Sequence, residues 1–145
     1  MLFRSELMVR SCQLQSLMPM MQFSLAPWRV LSKEYCGICR DYANLHCEFA
    51  PYILSLADEA AKTGEPILRS MDYMFPEQGF GDCDTQFMLG PDWLVAPVLS
   101  ADNVVKVRLP SGVWRDDLGE CHVGPKDLPL TSVPIARLPR FCRIR

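Results

Sequence analysis

"TQFMLGPDWLVAPVL", Thr85 to Leu99, decides how this chain is read. Two apolar runs, "QFML" and "WLVAPVL", flank the turn "GPD". Proline presets φ and glycine tolerates left-handed geometry, so Gly90 and Pro91 reverse the chain between two short strands. Downstream, "VVKVRLP", "ECHVG" and "PIARL" continue the pattern, separated by "SADN", "PSG" and "VGPKD". In "VVKVRL", Val105, Val107 and Leu109 share one face of a strand, and Lys106 and Arg108 share the other. Residues 77–145 therefore read as an antiparallel β-sandwich.

Upstream of Pro76 the pattern is helical. Ser5 to Leu17 forms a loose amphipathic helix with Leu7, Met8, Ser11, Cys12 and Leu14 on its apolar face, stopped by Pro19. "MMQFSLAPW" follows as a buried strand and loop, since the residue before Pro27 avoids helical geometry. Then Tyr35, Ile38, Tyr42, Leu45, Phe49, Ile53, Leu56 and Ala60 recur at helical spacing. Ser32 is the N-cap and Gly64 the C-terminal stop. Pro51 interrupts the pattern, which predicts a kink or two abutting helices. "EPILRSMDYMF" restarts as a strand, and a helix, short loop and strand are the second half of a βαβ unit.

The chain has 145 residues, 49% hydrophobic and 22% charged, a globular composition. A whole eight-stranded α/β barrel needs roughly 250 residues, so this chain cannot hold one. Net charge is −2 with dispersed lysines and arginines, so nothing points to nucleic acid or a membrane surface. The start "MLFRSELMVR" has charges where a secretory signal needs an apolar core. "SCQLQSLMPMMQFSLAPW" is too broken for a membrane span. Seven cysteines, an odd number, sit in no small-domain framework, and a mostly reduced state is expected.

"APYILSLADEAAKTGEPILRSMDYMFP", "QFMLGPDWLVAPVL" and "VRLPSGVWRD", in that order, resemble the C-terminal part of glycoside hydrolase family 31. That family holds α-glucosidases, α-xylosidases and related α-glycosidases. "MPMMQFSLAPWRV" fits as well, especially the myogenesis-regulating-glycosidase-like branch, so the resemblance covers roughly Glu6 to Phe141. It implies an α+β chain. Residues 1–76 would be the last elements of a (β/α)8 barrel, and residues 77–145 a β-sandwich domain. Pro66 to Met71 would be the eighth barrel strand and the long helix the seventh barrel helix. The complete enzyme would bind an α-glycoside and need the missing N-terminal barrel portion.

Family 31 enzymes retain anomeric configuration, with one carboxylate attacking and a second carboxyl protonating the leaving oxygen. The resemblance places both aspartates upstream of Glu6, so no catalytic residue is carried over. Many members have an Arg-x-His pair on the strand that reaches the sugar. Here those positions hold Gln22 and Ser24, which still hydrogen-bond hydroxyls. Trp28 follows them as a stacking platform, whereas Trp93 and Trp114 read as sandwich core.

Other polar candidates read as structural. Asp72 follows the expected last strand but matches neither family carboxylate. Asp82 and Asp84 bond their own turn rather than a metal, because calcium takes six to eight oxygens. Cys36 and Cys39 in "CGIC" lie within the helical pattern, away from a strand-to-helix junction where redox pairs sit. His46 and Cys47 are adjacent and point apart on a helix. His122 reads as an exposed hairpin residue. No cofactor and no metal are expected. The rival readings are a non-catalytic binding or scaffold module and, more remotely, a thiol-based metal or redox protein.

Overall fold

Ser32 opens the long helix as the sequence requires. Its hydroxyl accepts the Tyr35 N–H at 3.2 Å, and Gly64, at φ 81°, ends the helix with its N–H on the Ala60 carbonyl. In the computed structural model, which describes residues 5–145, helix α2 (Lys33–Thr63) runs unbroken for 31 residues through Pro51. Proline removes one backbone bond, and this exposed position absorbs the loss.

Helix α1 (Ser5–Ser16) packs on α2. Its buried stripe is Val9, Cys12, Gln13 and Ser16, a helical spacing with polar members. The expected face was offset: Leu7 is exposed, and Val9 takes the inner position. The polar members are tolerated because they are bonded. The Ser16 hydroxyl donates to the Gln13 carbonyl at 2.7 Å, and Arg10 donates to the Gln13 side-chain oxygen at 3.0 Å. The Cys12 thiol donates to the Cys39 carbonyl at 3.6 Å across the helix pair, and His46 Nδ1 lies 3.0 Å from the Ser16 carbonyl.

The segment Met20–Ser24 corrects an expectation. It is neither buried nor a strand but an irregular, largely exposed stretch leading to a 3-10 turn, Pro27–Arg29. A strand needs a neighbouring ladder, and the helices of this unit offer none. Of the eight apolar positions spaced along α2, Tyr42, Ile53 and Leu56 are buried, while Ile38, Leu45 and Phe49 stay half-covered.

The two compact units divide between Glu65 and Pro66, upstream of the sequence boundary at Pro76. The cause is strand β1 (Leu68–Arg69), which pairs antiparallel with β2 (Phe87–Leu89). Barrel strands run parallel, and among the described residues Leu68–Arg69 has this antiparallel partner and no parallel one. A short helix, α3 (Met71–Met74), follows β1. The sheet continues through β3 (Trp93–Val95), β5 (Arg108–Asp116), β6 (Cys121–Asp127) and β8 (Arg140–Ile144) in the order β1-β2-β3-β8-β5-β6. Each described pairing in it is antiparallel. Strands β4 (Val104–Val105) and β7 (Thr131–Ser132) make a separate two-stranded ribbon. "PIARL" is a turn-rich connection, and the closing strand comes just after it.

Val105, Val107 and Leu109 are buried together as the alternation demands, in a core that includes Met71, Phe75, Phe80, Met88, Leu94 and Phe141. Trp114 is fully buried at its centre, its ring edge-on to Phe75 with centroids 6.2 Å apart. Trp93 is only half-buried, contrary to expectation. Leu94, paired with Phe141, occupies the core instead, and pleating turns Trp93 to the other face beside Cys142. Gln86 extends the sheet chemistry with a side chain. Its amide donates to the Arg108 carbonyl at 2.8 Å and accepts the Arg108 N–H at 2.9 Å, as a paired strand would.

All seven cysteines are unpaired, and burial pushes the Cys12 thiol pKa far up, with Cys39 adding to the rise. The thiolate is the reactive form, so Cys12 stays inert where exposed Cys47 and Cys121 react. Brief alkylation at pH 8 followed by peptide mass spectrometry should modify Cys47 and Cys121 and spare Cys12. Early loss of Cys12 would contradict this packing. Two glycines should respond oppositely to alanine. Gly37 lies inside α2 with open space around it, so Gly37→Ala should stabilise by about 1 kcal/mol. A Cβ at Gly124 would run into the Pro110 carbonyl, so Gly124→Ala should cost about 1–3 kcal/mol in urea denaturation.

Candidate functional site

The β5–β6 hairpin concentrates the polar chemistry of the second unit. Gly119, at φ 90°, supplies the left-handed position that lets the turn close. The Asp116 N–H donates to the Glu120 carbonyl at 2.9 Å, and the Gly119 N–H to the Asp116 carbonyl at 3.1 Å. The Asp116 carboxylate then ties the turn from inside. Oδ1 accepts the Leu118 and Glu120 N–H groups at 3.0 and 2.8 Å, and Oδ2 lies 3.2 Å from His122 Nε2.

Strand alternation sends His122 inward from β6, where its ring meets Phe141 edge-on at 5.9 Å. The side chains of His122 and Asp116 are 16% and 7% exposed, so His122 is not the exposed hairpin residue that the sequence suggested. Glu120 remains in solvent. One ligand atom from each of Asp116, Glu120 and His122 falls within 4.8 Å of the other two. Burial opposes charge on Asp116. The His122 contact and the two N–H donors outweigh it, and the carboxyl sits below its usual range.

These three residues are among those that line a groove of about 230 Å³. Its walls are mainly apolar, including Val107, Leu128, Val133 and Phe141. Arg137 also lines the groove and is bonded to Asp117 twice, at 2.8 and 2.9 Å. Sequence reasoning missed this cluster because it did not single out Asp116 or Glu120 and took His122 as surface. The spacing Asp-x3-Glu-x-His across a tight turn was the available signal.

The sequence-derived sugar contacts lie in the other unit. Gln22 and Ser24 are exposed along the irregular segment, and Trp28, in the 3-10 turn, is 78% exposed. Asp72 sits exposed in the first turn of α3. Asp82 pairs with Arg108 at 2.9 Å, and Arg108 also donates to the Gly79 carbonyl and stacks over Phe80. Cys36 and Cys39 are helical, as expected. Among the described residues, no helix is long and apolar enough to cross a membrane.

Comparison with known proteins identifies the lineage of this sheet. Residues 64–144 match the model of the glycosyl hydrolase family 31 C-terminal domain. The chain belongs to glycoside hydrolase family 31. It is 39% identical to the myogenesis-regulating glycosidase of Mus musculus over 79% of this chain and 16% of that protein. It is 33% identical to an alpha-xylosidase of Saccharolobus solfataricus over 96% of this chain and 20% of that one. Among solved structures it resembles a family 31 alpha-xylosidase from a soil metagenome, complexed with xylose. The TM-score is 0.84 at 26% identity, covering 96% of this chain and 25% of that chain. A Flavobacterium johnsoniae family 31 dextranase complexed with isomaltotriose gives a TM-score of 0.86 at 28% identity, covering 96% of this chain and 18% of that chain. The chain thus spans a fifth or less of the length of these two curated relatives.

Asp116→Ala should unhook two N–H groups and cost the second unit about 1–2 kcal/mol, while Asp116→Asn keeps Oδ1 and most of that stability. The folded state favours ionised Asp116, so its contribution is complete above the ordinary aspartate pKa of ~3.9. It is lost as pH falls below that value, toward the lowered folded pKa. Urea midpoints measured from pH 7 to pH 3 should fall less steeply in Asp116→Asn than in the parent.

Proposed function

We propose that this chain acts as the C-terminal part of a family 31 α-glycosidase, which hydrolyses α-linked glycosides with retention. The observation that carries the reading is the family match over residues 64–144, joined to identity that continues upstream through the helical unit. The two catalytic carboxylates come from barrel elements outside this chain. Its own contribution is to help close the barrel and to supply the β domain beside it.

The surface of the helical unit supports this reading. Met20 and Trp28 are 84% and 78% exposed, and Phe23 and Leu25 are each 41% exposed. With the half-covered Ile38, Leu45 and Phe49 of α2, they are what a barrel strand and its helix would bury against neighbours. In that setting the segment Met20–Ser24 gains the ladder partners it lacks here. Gln22 and Ser24 then present an amide and a hydroxyl to sugar hydroxyls, and Trp28 offers an indole face for stacking. A histidine at the Ser24 position would donate differently, so substrate preference shifts away from that of members carrying the Arg-x-His pair.

A second reading, a non-catalytic scaffold module, draws on the self-contained core around Trp114 in the second unit. Two measurements separate them. The isolated chain should not turn over a nitrophenyl α-glucoside or α-xyloside. Turnover abolished by Asp72→Asn would refute the assignment of catalysis elsewhere. Transcript sequence reading in frame into Met1 and encoding the two aspartate motifs should be found. A promoter and start codon directly before Met1 would favour the scaffold. In the longer enzyme, Trp28→Ala and Gln22→Ala should each raise KM roughly tenfold, the loss of about 1.4 kcal/mol.

A further inference from the structure

We propose that Asp116, Glu120 and His122 form a binding site for a late first-row divalent cation, zinc foremost. The site belongs to the β5–β6 hairpin and is independent of the sugar contacts.

The donor set selects the metal. One imidazole nitrogen and two carboxylates suit zinc and its neighbours, whereas calcium and magnesium favour all-oxygen shells. The distances agree. Zinc–nitrogen and zinc–oxygen bonds of about 2.0–2.2 Å put neighbouring ligand atoms of a tetrahedron roughly 3.3–3.5 Å apart. Asp116 Oδ2 and His122 Nε2 stand 3.2 Å apart, near that edge length and longer than the 2.7–2.9 Å of a charge-assisted hydrogen bond. The third donor, Glu120, is exposed and free to rotate, and its ligand atom already falls within the 4.8 Å cluster.

The support around the ligands is built as metal sites require. Two backbone N–H groups hold Asp116 Oδ1 and leave Oδ2 aimed at the site. Phe141 packs edge-on against the His122 ring at 5.9 Å. Arg137, which also lines the groove, is bonded to Asp117. The groove beside the three donors leaves room for a fourth ligand, a water or a donor atom of a small molecule. On binding, the ion replaces the proton between His122 and Asp116, and that proton leaves to solvent.

Calorimetric titration of zinc chloride into the 145-residue chain carrying Cys47→Ser and Cys121→Ser tests this while removing the two exposed thiols. The expected result is one ion per chain. Glu120→Gln should weaken binding at least tenfold with an unchanged thermal melt, and His122→Gln should abolish it. The chain has only two histidines, so proton–nitrogen correlation spectra separate them. Zinc should shift the His122 Nε2 resonance and leave His46 in place. The proposal is overturned if binding does not saturate below about 1 mM, if His122→Gln binds as the parent does, or if His46 alone responds.

Discussion

The β domain depends on an irregularity at Pro110. Proline cannot donate to a ladder, and the pairing of β5 with β6 shifts between Leu109 and Gly112 to accommodate it. The displaced Pro110 carbonyl then accepts the Trp114 indole N–H at 2.9 Å. That bond allows a complete indole to be buried without an unpaired donor. Glycine faces the bulge from β6 at Gly124 because a side chain there would collide with the same carbonyl. One proline thus sets the bend, satisfies the tryptophan and dictates the opposing glycine.

Around this point the polar groups are arranged to protect the core. Arg143 lies over the rings of Phe75 and Trp114, and Arg108 over Phe80, so guanidinium groups cover aromatic surface that would otherwise meet water. Gln86 serves as a surrogate strand against Arg108. The Asp116 turn follows directly from β5, whose course the bulge controls. Placement of His122 beside Phe141 is therefore a consequence of how β5 carries Trp114. Membership of family 31 explains why such a domain exists.

Much of the architecture was legible from residue order. The capping pair Ser32 and Gly64, the helical repeat between them, the turn at Gly90 and Pro91, and the Val105–Val107–Leu109 face all act through neighbours a few residues away. The misplacements share a different cause. Leu7 against Val9 and Trp93 against Leu94 are choices between adjacent positions, and only the packing partner makes that choice. Met20–Ser24 has strand composition, yet a strand exists only with a neighbour to bond. Within Pro66 to Met71, Leu68 and Arg69 are extended as read, but their partner was not legible, because parallel and antiparallel neighbours leave the same local signature.

The candidate site divides in the same way. Gln22, Ser24 and Trp28 could be proposed from a family pattern because they are close in sequence. Asp116 and His122 could not, since their meeting needs the register of β5 against β6 and the ring of Phe141 from β8. Residue order alone determined the family, the helix limits and the inward face of the strands, because short-range sterics and periodicity govern these. Tertiary structure alone decided which carboxylate meets which imidazole and which tryptophan is buried, because pairing between distant strands places those side chains.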